Sequence, residues 1–222
     1  MKTLIIDAGH GGKDPGATVF QVKEKDWNLK MSLYQYNRLK ELGAKVDLTR
    51  SADETLDATA RTNKIKSKYD YCISNHFNAF NGEARGIETI HSIHSIGKLA
   101  IDIADALHEA TRLPLRRVFN RRNSAGKDWY FMHRLTGSTQ TIIIEYGFID
   151  HPEDVAFYKT DENFIKAAEA VIKVLCIHLG VKYQTPEQAL YRVQVGAFQN
   201  KANATQLVKQ LKDLGYDPFI SV

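Results

Sequence analysis

Cysteine is scarce in this chain of 222 residues, with only Cys72 and Cys176 present. Two thiols cannot make a disulfide framework. Both stand in apolar surroundings, Tyr71-Cys72-Ile73 and Leu175-Cys176-Ile177, so they read as buried structural thiols. Long apolar runs are missing as well. No stretch is long enough to span a membrane, and Leu4-Ile5-Ile6 before Asp7 is too short for the core of a signal peptide. The expectation is a protein made in the cytoplasm, without an export signal and without membrane insertion. Charge of one sign is in little excess, a formal +4, which fits simple solubility better than attraction to anionic polymers. The one dense basic cluster is Arg116, Arg117, Arg121 and Arg122. It reads as a solvated loop first and the rim of a binding site second, and no nucleic-acid partner is expected.

What the chain does have is an ordinary globular balance, 43% hydrophobic and 25% charged residues. Its length suits one well-buried domain and a small appendage. Lys2 to Ile6 reads as a buried strand closed by a glycine-rich turn, and 25–42 as a helix stopped by Gly43. Trp27, Met31, Tyr34 and Leu42 fall near one face of that helix. Further strands are expected at 44–48, 71–74, 86–90 and 141–145, and further helices at 57–68, 97–112 and 161–179. The polar stretch 116–128 is the longest expected loop. Alternating strands and helices predict an α/β fold, an open, largely parallel twisted sheet with helices on both faces. In such sheets ligands gather beyond the carboxyl ends of the strands.

The domain boundaries follow from composition. A catalytic domain is expected over 1–181 and a polar, proline-containing linker over 182–189. A small βαβ segment is expected over 190–222, built from a strand at 190–198, a helix at 200–214 and a strand at 216–222. That tail is too short to bury a core alone.

Three segments carry chemistry. They are Asp7-Ala8-Gly9-His10-Gly11-Gly12 with Glu24 downstream, Ser74-Asn75-His76-Phe77-Asn78, and Ile144-Glu145-Tyr146-Gly147-Phe148. Each sets a metal-capable or acid/base side chain at or past an apolar run. Two histidines and a glutamate make a catalytic zinc site with one open position. A further glutamate is the natural general base for water at that metal. His91, His94, His108, His133 and His178 read as structural or surface histidines. Taken alone, these residues support a zinc amidohydrolase and do not name its substrate.

In order along the chain the segments resemble the zinc-dependent N-acetylmuramoyl-L-alanine amidases of the amidase_3 type. The resemblance rests on the Asp7–Gly12 turn, Asp14-Pro15-Gly16 and the helix-opening Glu24. It continues through Thr49-Arg50, Arg61 and Asn63, Ser74-Asn75-His76-Phe77-Asn78-Ala79, Gly86-Ile87-Glu88-Thr89 and Glu145-Tyr146-Gly147-Phe148-Ile149. It spans about residues 2–180. His151 departs from an asparagine common in that family. The resemblance implies that His10, Glu24 and His76 hold zinc and that Glu145 activates water. The bond cut would be the amide between N-acetylmuramic acid and L-alanine of peptidoglycan. Some relatives carry an inserted helix over the metal, and this chain offers no room for one. Tyr191-Arg192-Val193-Gln194-Val195-Gly196-Ala197-Phe198 with Asn203-Ala204 resembles part of a SPOR repeat, which implies peptidoglycan binding or self-association through the tail. The implied biology is that of a phage endolysin or a sporulation-associated autolysin, reaching the wall through lysis or a phage pore protein. The alternatives are a non-catalytic wall-binding protein and another zinc peptidase on the same fold.

Overall fold

The apolar run at the N-terminus forms β1 (Thr3–Ala8), and its alternate side chains feed two separate cores. The structure is a computed structural model describing residues 1–186, 194–216 and 218–220. After β1 the chain makes a two-stranded hairpin, β2 (Thr18–Val19) and β3 (Val22–Lys23), and enters α1 (Glu24–Glu41). Then come β4 (Lys45–Leu48), α2 (Ala58–Ile65), β5 (Tyr71–Asn78), β6 (Ile87–His91) and α3 (Lys98–Thr111). The domain continues through β7 (Leu115–Phe119), α4 (Phe131–Arg134), β8 (Gln140–Phe148), α5 (Pro152–Tyr158) and α6 (Asp161–Leu179).

Six strands form one sheet in the order β4-β1-β5-β8-β6-β7. The expected α/β sheet is present and mostly parallel, and within this six-stranded sheet the one antiparallel pairing among the described residues is β6 on β8. The reversal has a simple cause. Only residues 79–86 separate β5 from β6, whereas a parallel crossover needs about a dozen residues or more.

Both faces of the sheet are covered. Leu4, Ile6, Ile73, Ile142 and Ile144 point into the larger core, with Met31 and Leu39 of α1, Ile103 and Leu107 of α3, and Ala168 and Ile172 of α6. Ile5, Cys72, Ile90 and Ile143 point to the other face, with Ile65 of α2 and Met132 of α4. Strands buried on both faces are near-continuous in apolar residues, which is what Leu4-Ile5-Ile6 and Ile142-Ile143-Ile144 are.

Three expectations change. The arginine stretch 116–128 is not all loop, because Leu115–Phe119 pairs with β6 as the sheet's edge strand. Its arginines did not look strand-like, and edge strands tolerate charge. The short helices α4 and α5 and the β2–β3 hairpin were also unforeseen. Strands β5 and β8 run four and three residues beyond the ends expected from their apolar cores.

By packing, the chain divides into two units, Met1–Gln184 and Thr185–Val222. The second contains α7 (Lys201–Asp213), capped by the Asn200 side chain. The strand expected at 190–198 falls partly outside the described residues, as does the one at 216–222. No strand occurs among the described residues of this unit.

Candidate active site

The turn after β1 begins the site. His10 adopts a left-handed backbone, φ 58°, an uncommon state for a residue with a side chain. Two buried arginines hold the turn. Arg50 donates to the carbonyl oxygens of Ala8 (2.9 Å) and Gly9 (3.0 Å). Arg61 donates to the carbonyls of Ala8 (2.8 Å) and His10 (2.7 Å) and pairs with Asp7 at 2.5 Å. Asp7 has no exposure and also accepts from Thr49 and Ser74, each at 2.7 Å. Burial works against its charge, but Arg61 and the two hydroxyls keep its carboxyl below the usual range. The charge is therefore compensated rather than orphaned.

Glu24 is the first residue of α1, and its carboxylate lies between the two histidines. One oxygen is 3.1 Å from His10 Nε2 and the other 2.9 Å from His76 Nδ1. The Glu24 carboxylate also accepts from Asn28 (3.2 Å) and from the backbone N–H groups of Ala17 (3.1 Å) and Phe77 (3.3 Å). Burial opposes the Glu24 charge, yet the two histidines hold its pKa far below normal. Burial also lowers the His10 pKa, but Glu24 and Asp14 more than reverse this. The other His10 nitrogen, Nδ1, is 2.8 Å from Asp14. Such a carboxylate fixes the tautomer of a ligating histidine.

The glycines next to these side chains are there for space. A Cβ on Gly9 would sit 2.2 Å from the His76 ring, and one on Gly16 would sit 2.5 Å from a Glu24 carboxylate oxygen.

One ligand atom from each of His10, Glu24 and His76 lies within 4.8 Å of the other two. No other group of three such residues is found among the described residues. The cluster fits a metal by its chemistry, two imidazole nitrogens and one carboxylate oxygen. It fits by spacing too, since ligands about 2.0–2.1 Å from a tetrahedral zinc stand about 3.3 Å apart.

Glu145 lies one strand away, directly paired with His76 across β5 and β8. Its Oε2 is shielded from solvent and has no hydrogen-bond partner among the described residues. Burial, then repulsion from Glu24 and Glu88, pushes its pKa well above the usual range. A buried, unpartnered carboxylate oxygen beside a potential metal cluster is a strong sign of function.

The row continues. Glu145 pairs with Glu88 on β6, and Glu88 with Arg117 on β7. Directly paired residues point to the same face of a sheet, so His76, Glu145, Glu88 and Arg117 form one line across four strands. Glu88 is 1% exposed and accepts from Asn78, Arg116 and Arg117. Sequence reasoning assigned no role to Asn28, Asp14 or Glu88. The signal for each was its place beside a ligand or in a motif.

The remaining histidines stay outside the cluster. His108 bonds the Leu113 carbonyl and His178 meets Asp102, each at 2.7–2.8 Å. His91 contacts the Ser92 carbonyl, and His151 precedes α5 as its cap. Neither the connection from β6 to α3 nor that from β7 to α4 holds a helix. Both cysteines are buried and free.

An α/β sheet bearing this donor set at its strand ends is the architecture of a metal-dependent hydrolase. Comparison with known proteins makes the class specific. Residues 4–176 match the family model described as N-acetylmuramoyl-L-alanine amidase, and residues 166–222 match the SPOR domain. The chain is 30% identical to the N-acetylmuramoyl-L-alanine amidase CwlM of Bacillus licheniformis, across 99% of this chain and 85% of that protein. It is 29% identical to the sporulation-specific N-acetylmuramoyl-L-alanine amidase of Bacillus subtilis strain 168, across 99% and 84%. Among solved structures, the catalytic domain of CwlV from Bacillus (Paenibacillus) polymyxa var. colistinus superposes with a TM-score of 0.73 at 26% identity. That match covers 82% of this chain and all of that one. The chain belongs to the N-acetylmuramoyl-L-alanine amidase family, as an enzyme of that class with a SPOR match at its C-terminal end, and both matches imply binding to peptidoglycan. The SPOR match starts inside α6, whose buried face belongs to the core of the first unit.

Proposed function

We propose that this chain is a zinc-dependent amidase that cuts the amide between the lactyl group of N-acetylmuramic acid and L-alanine of the stem peptide. His10, Glu24 and His76 would hold the metal, and Glu145 would act as general base. The observation that carries the reading is the unpartnered, shielded Glu145 Oε2 paired across the sheet with His76 of the cluster. Zinc bound there would supply a Lewis acid that polarises a carbonyl oxygen and acidifies water.

The chain's own residues do the rest. Asp14 fixes the His10 ring so that Nε2 faces the cluster. Asn28 and two backbone N–H groups orient Glu24. Glu145 accepts a proton from the attacking water and passes it to the departing amine of L-alanine, so one carboxyl serves both proton transfers. Its unpartnered Oε2 leaves that carboxyl free to take and return the proton.

We further assign 1–181 to catalysis, 182–189 to a linker and 190–222 to a tail that holds wall material or a second copy of the chain. The likeness to a sporulation-specific amidase favours a sporulation-associated autolysin over a phage endolysin. No helix among the described residues is long and apolar enough to cross a membrane, and the site of action follows from the substrate, the cell wall. The test is metal content. The purified wild type should carry one zinc per chain and His76→Ala none. Stoichiometric zinc and full wall lysis in His76→Ala would remove the ligand assignment.

A further inference from the structure

The row that passes through Glu145 does not stop at the catalytic residues. It ends on β7, in the arginine stretch whose sequence reads as a solvated loop first and the rim of a binding site second. Arg116 and Arg117 both donate to Glu88, so their charge is partly spent. Arg121 is different. Its guanidinium lies 3.8 Å from the Trp129 ring and has no carboxylate partner among the described residues. Trp129 is itself 46% exposed. An arginine stacked on an aromatic ring keeps its planar fork free for a carboxylate. The strand register ties this rim to the active site, because Arg117 pairs with Glu88 and Glu88 with Glu145.

We infer that Arg121, backed by Trp129 and by Arg117 at the end of the row, forms a subsite for free carboxylates of the stem peptide. The inference rests on the amidase reading and sets the direction in which its substrate lies. In that substrate the lactyl carboxyl is consumed in the scissile amide, and the N-acetylated sugars are neutral. The negative charge sits on the peptide side alone, so a cationic rim faces the peptide. The distance agrees. Arg117 is two strands from Glu145, about 10 Å at about 4.8 Å per strand. An extended peptide covers that in about three residues. The carboxylates read are therefore those of the second and third stem residues. The enzyme prefers stem peptides whose carboxyl groups are free over those converted to carboxamides.

The test uses two synthetic muramyl tripeptides, one with free carboxylates and one with each carboxylate converted to its carboxamide, and the full-length zinc-loaded enzyme. The wild type should favour the free acid by about tenfold or more in kcat/KM, the range expected for a charge-assisted bidentate contact. The preference should reside mainly in KM and should shrink as salt rises. In Arg121→Ala the ratio between the two substrates should collapse toward one, and Arg121→Lys should restore part of it. Equal kcat/KM for both substrates in the wild type would overturn the subsite and leave the amidase reading standing. So would a ratio that survives in both Arg121→Ala and Arg117→Ala. Failure to cleave either compound would overturn the amidase reading and the subsite with it.

Discussion

At the scale of residues, the site is built from side chains that few substitutions could replace. Gly9→Ala would drive a Cβ into the His76 ring, since the ideal position is 2.2 Å from it. That variant should fold but lose zinc, and metal analysis of the purified protein checks this. Full zinc occupancy would show that the ring can move aside. His133, outside the site, makes a separate statement about stability. Burial pushes its imidazole down to about 4 against the opposing pull of Asp128. The unfolded chain takes up that proton near pH 6.5, so between about 6.5 and 4 the unfolded state holds more protons. Stability should therefore fall as pH drops through that window and lose nothing more from this group below it. The full cost is on the order of 3 kcal/mol. Urea melts of wild type and His133→Asn at pH 7 and pH 5 measure it. A loss on acidification that is the same in both would contradict the account.

At the scale of elements, what was legible depended on whether the pattern was apolar. Strands β1, β5 and β8 announced themselves because both of their faces are buried. Helix α1 was found from Trp27, Met31, Tyr34 and Leu42. Its more important stripe is polar and could not be read as a buried face. Glu24, Asn28, Ser32 and Gln35 are all buried. They continue into a network in which Asn75 donates to Ser32 and Gln35, each at 2.8 Å, and Gln35 donates to Tyr146 at 2.8 Å. Edge strand β7 was missed because its arginines serve Glu88 rather than a core. The order of His10, Glu24, His76 and Glu145 along the chain was plain. The continuation of their row to Glu88 and Arg117 needed the register, which no local sequence pattern specifies. The Asp7–Arg61 pair joins β1 to α2, with Thr49 just past β4 and Ser74 within β5 bonded to the same carboxylate. Arg61→Ala would leave Asp7 buried and unpaired, so it should cost about 3–5 kcal/mol. Thermal melts of that variant against Arg61→Ala/Asp7→Asn check this, since the double change should recover part of the loss. Equal stability of wild type and Arg61→Ala would contradict it.

At the scale of the whole molecule, the packing division after Gln184 separates a unit with all the site residues from one with α7. The tail's exposed apolar residues, Phe198, Leu214, Tyr216 and Phe219 among them, do not make a core of their own. Deleting 183–222 should leave a folded, zinc-loaded enzyme whose turnover on small soluble muropeptides is kept. Retention on insoluble walls, or self-association seen by light scattering, should fall. Loss of soluble turnover with both other properties intact would move the catalytic boundary into the tail. The central claim concerns one bond. Mass spectrometry of purified walls digested by the zinc-loaded enzyme should find new amino groups on L-alanine and none on other stem residues. Glu145→Gln should bind one zinc and release these products at least about 100-fold more slowly, as the loss of a general base requires. New amino groups on another residue, new reducing sugar ends, or undiminished release by the zinc-loaded Glu145→Gln enzyme would contradict it.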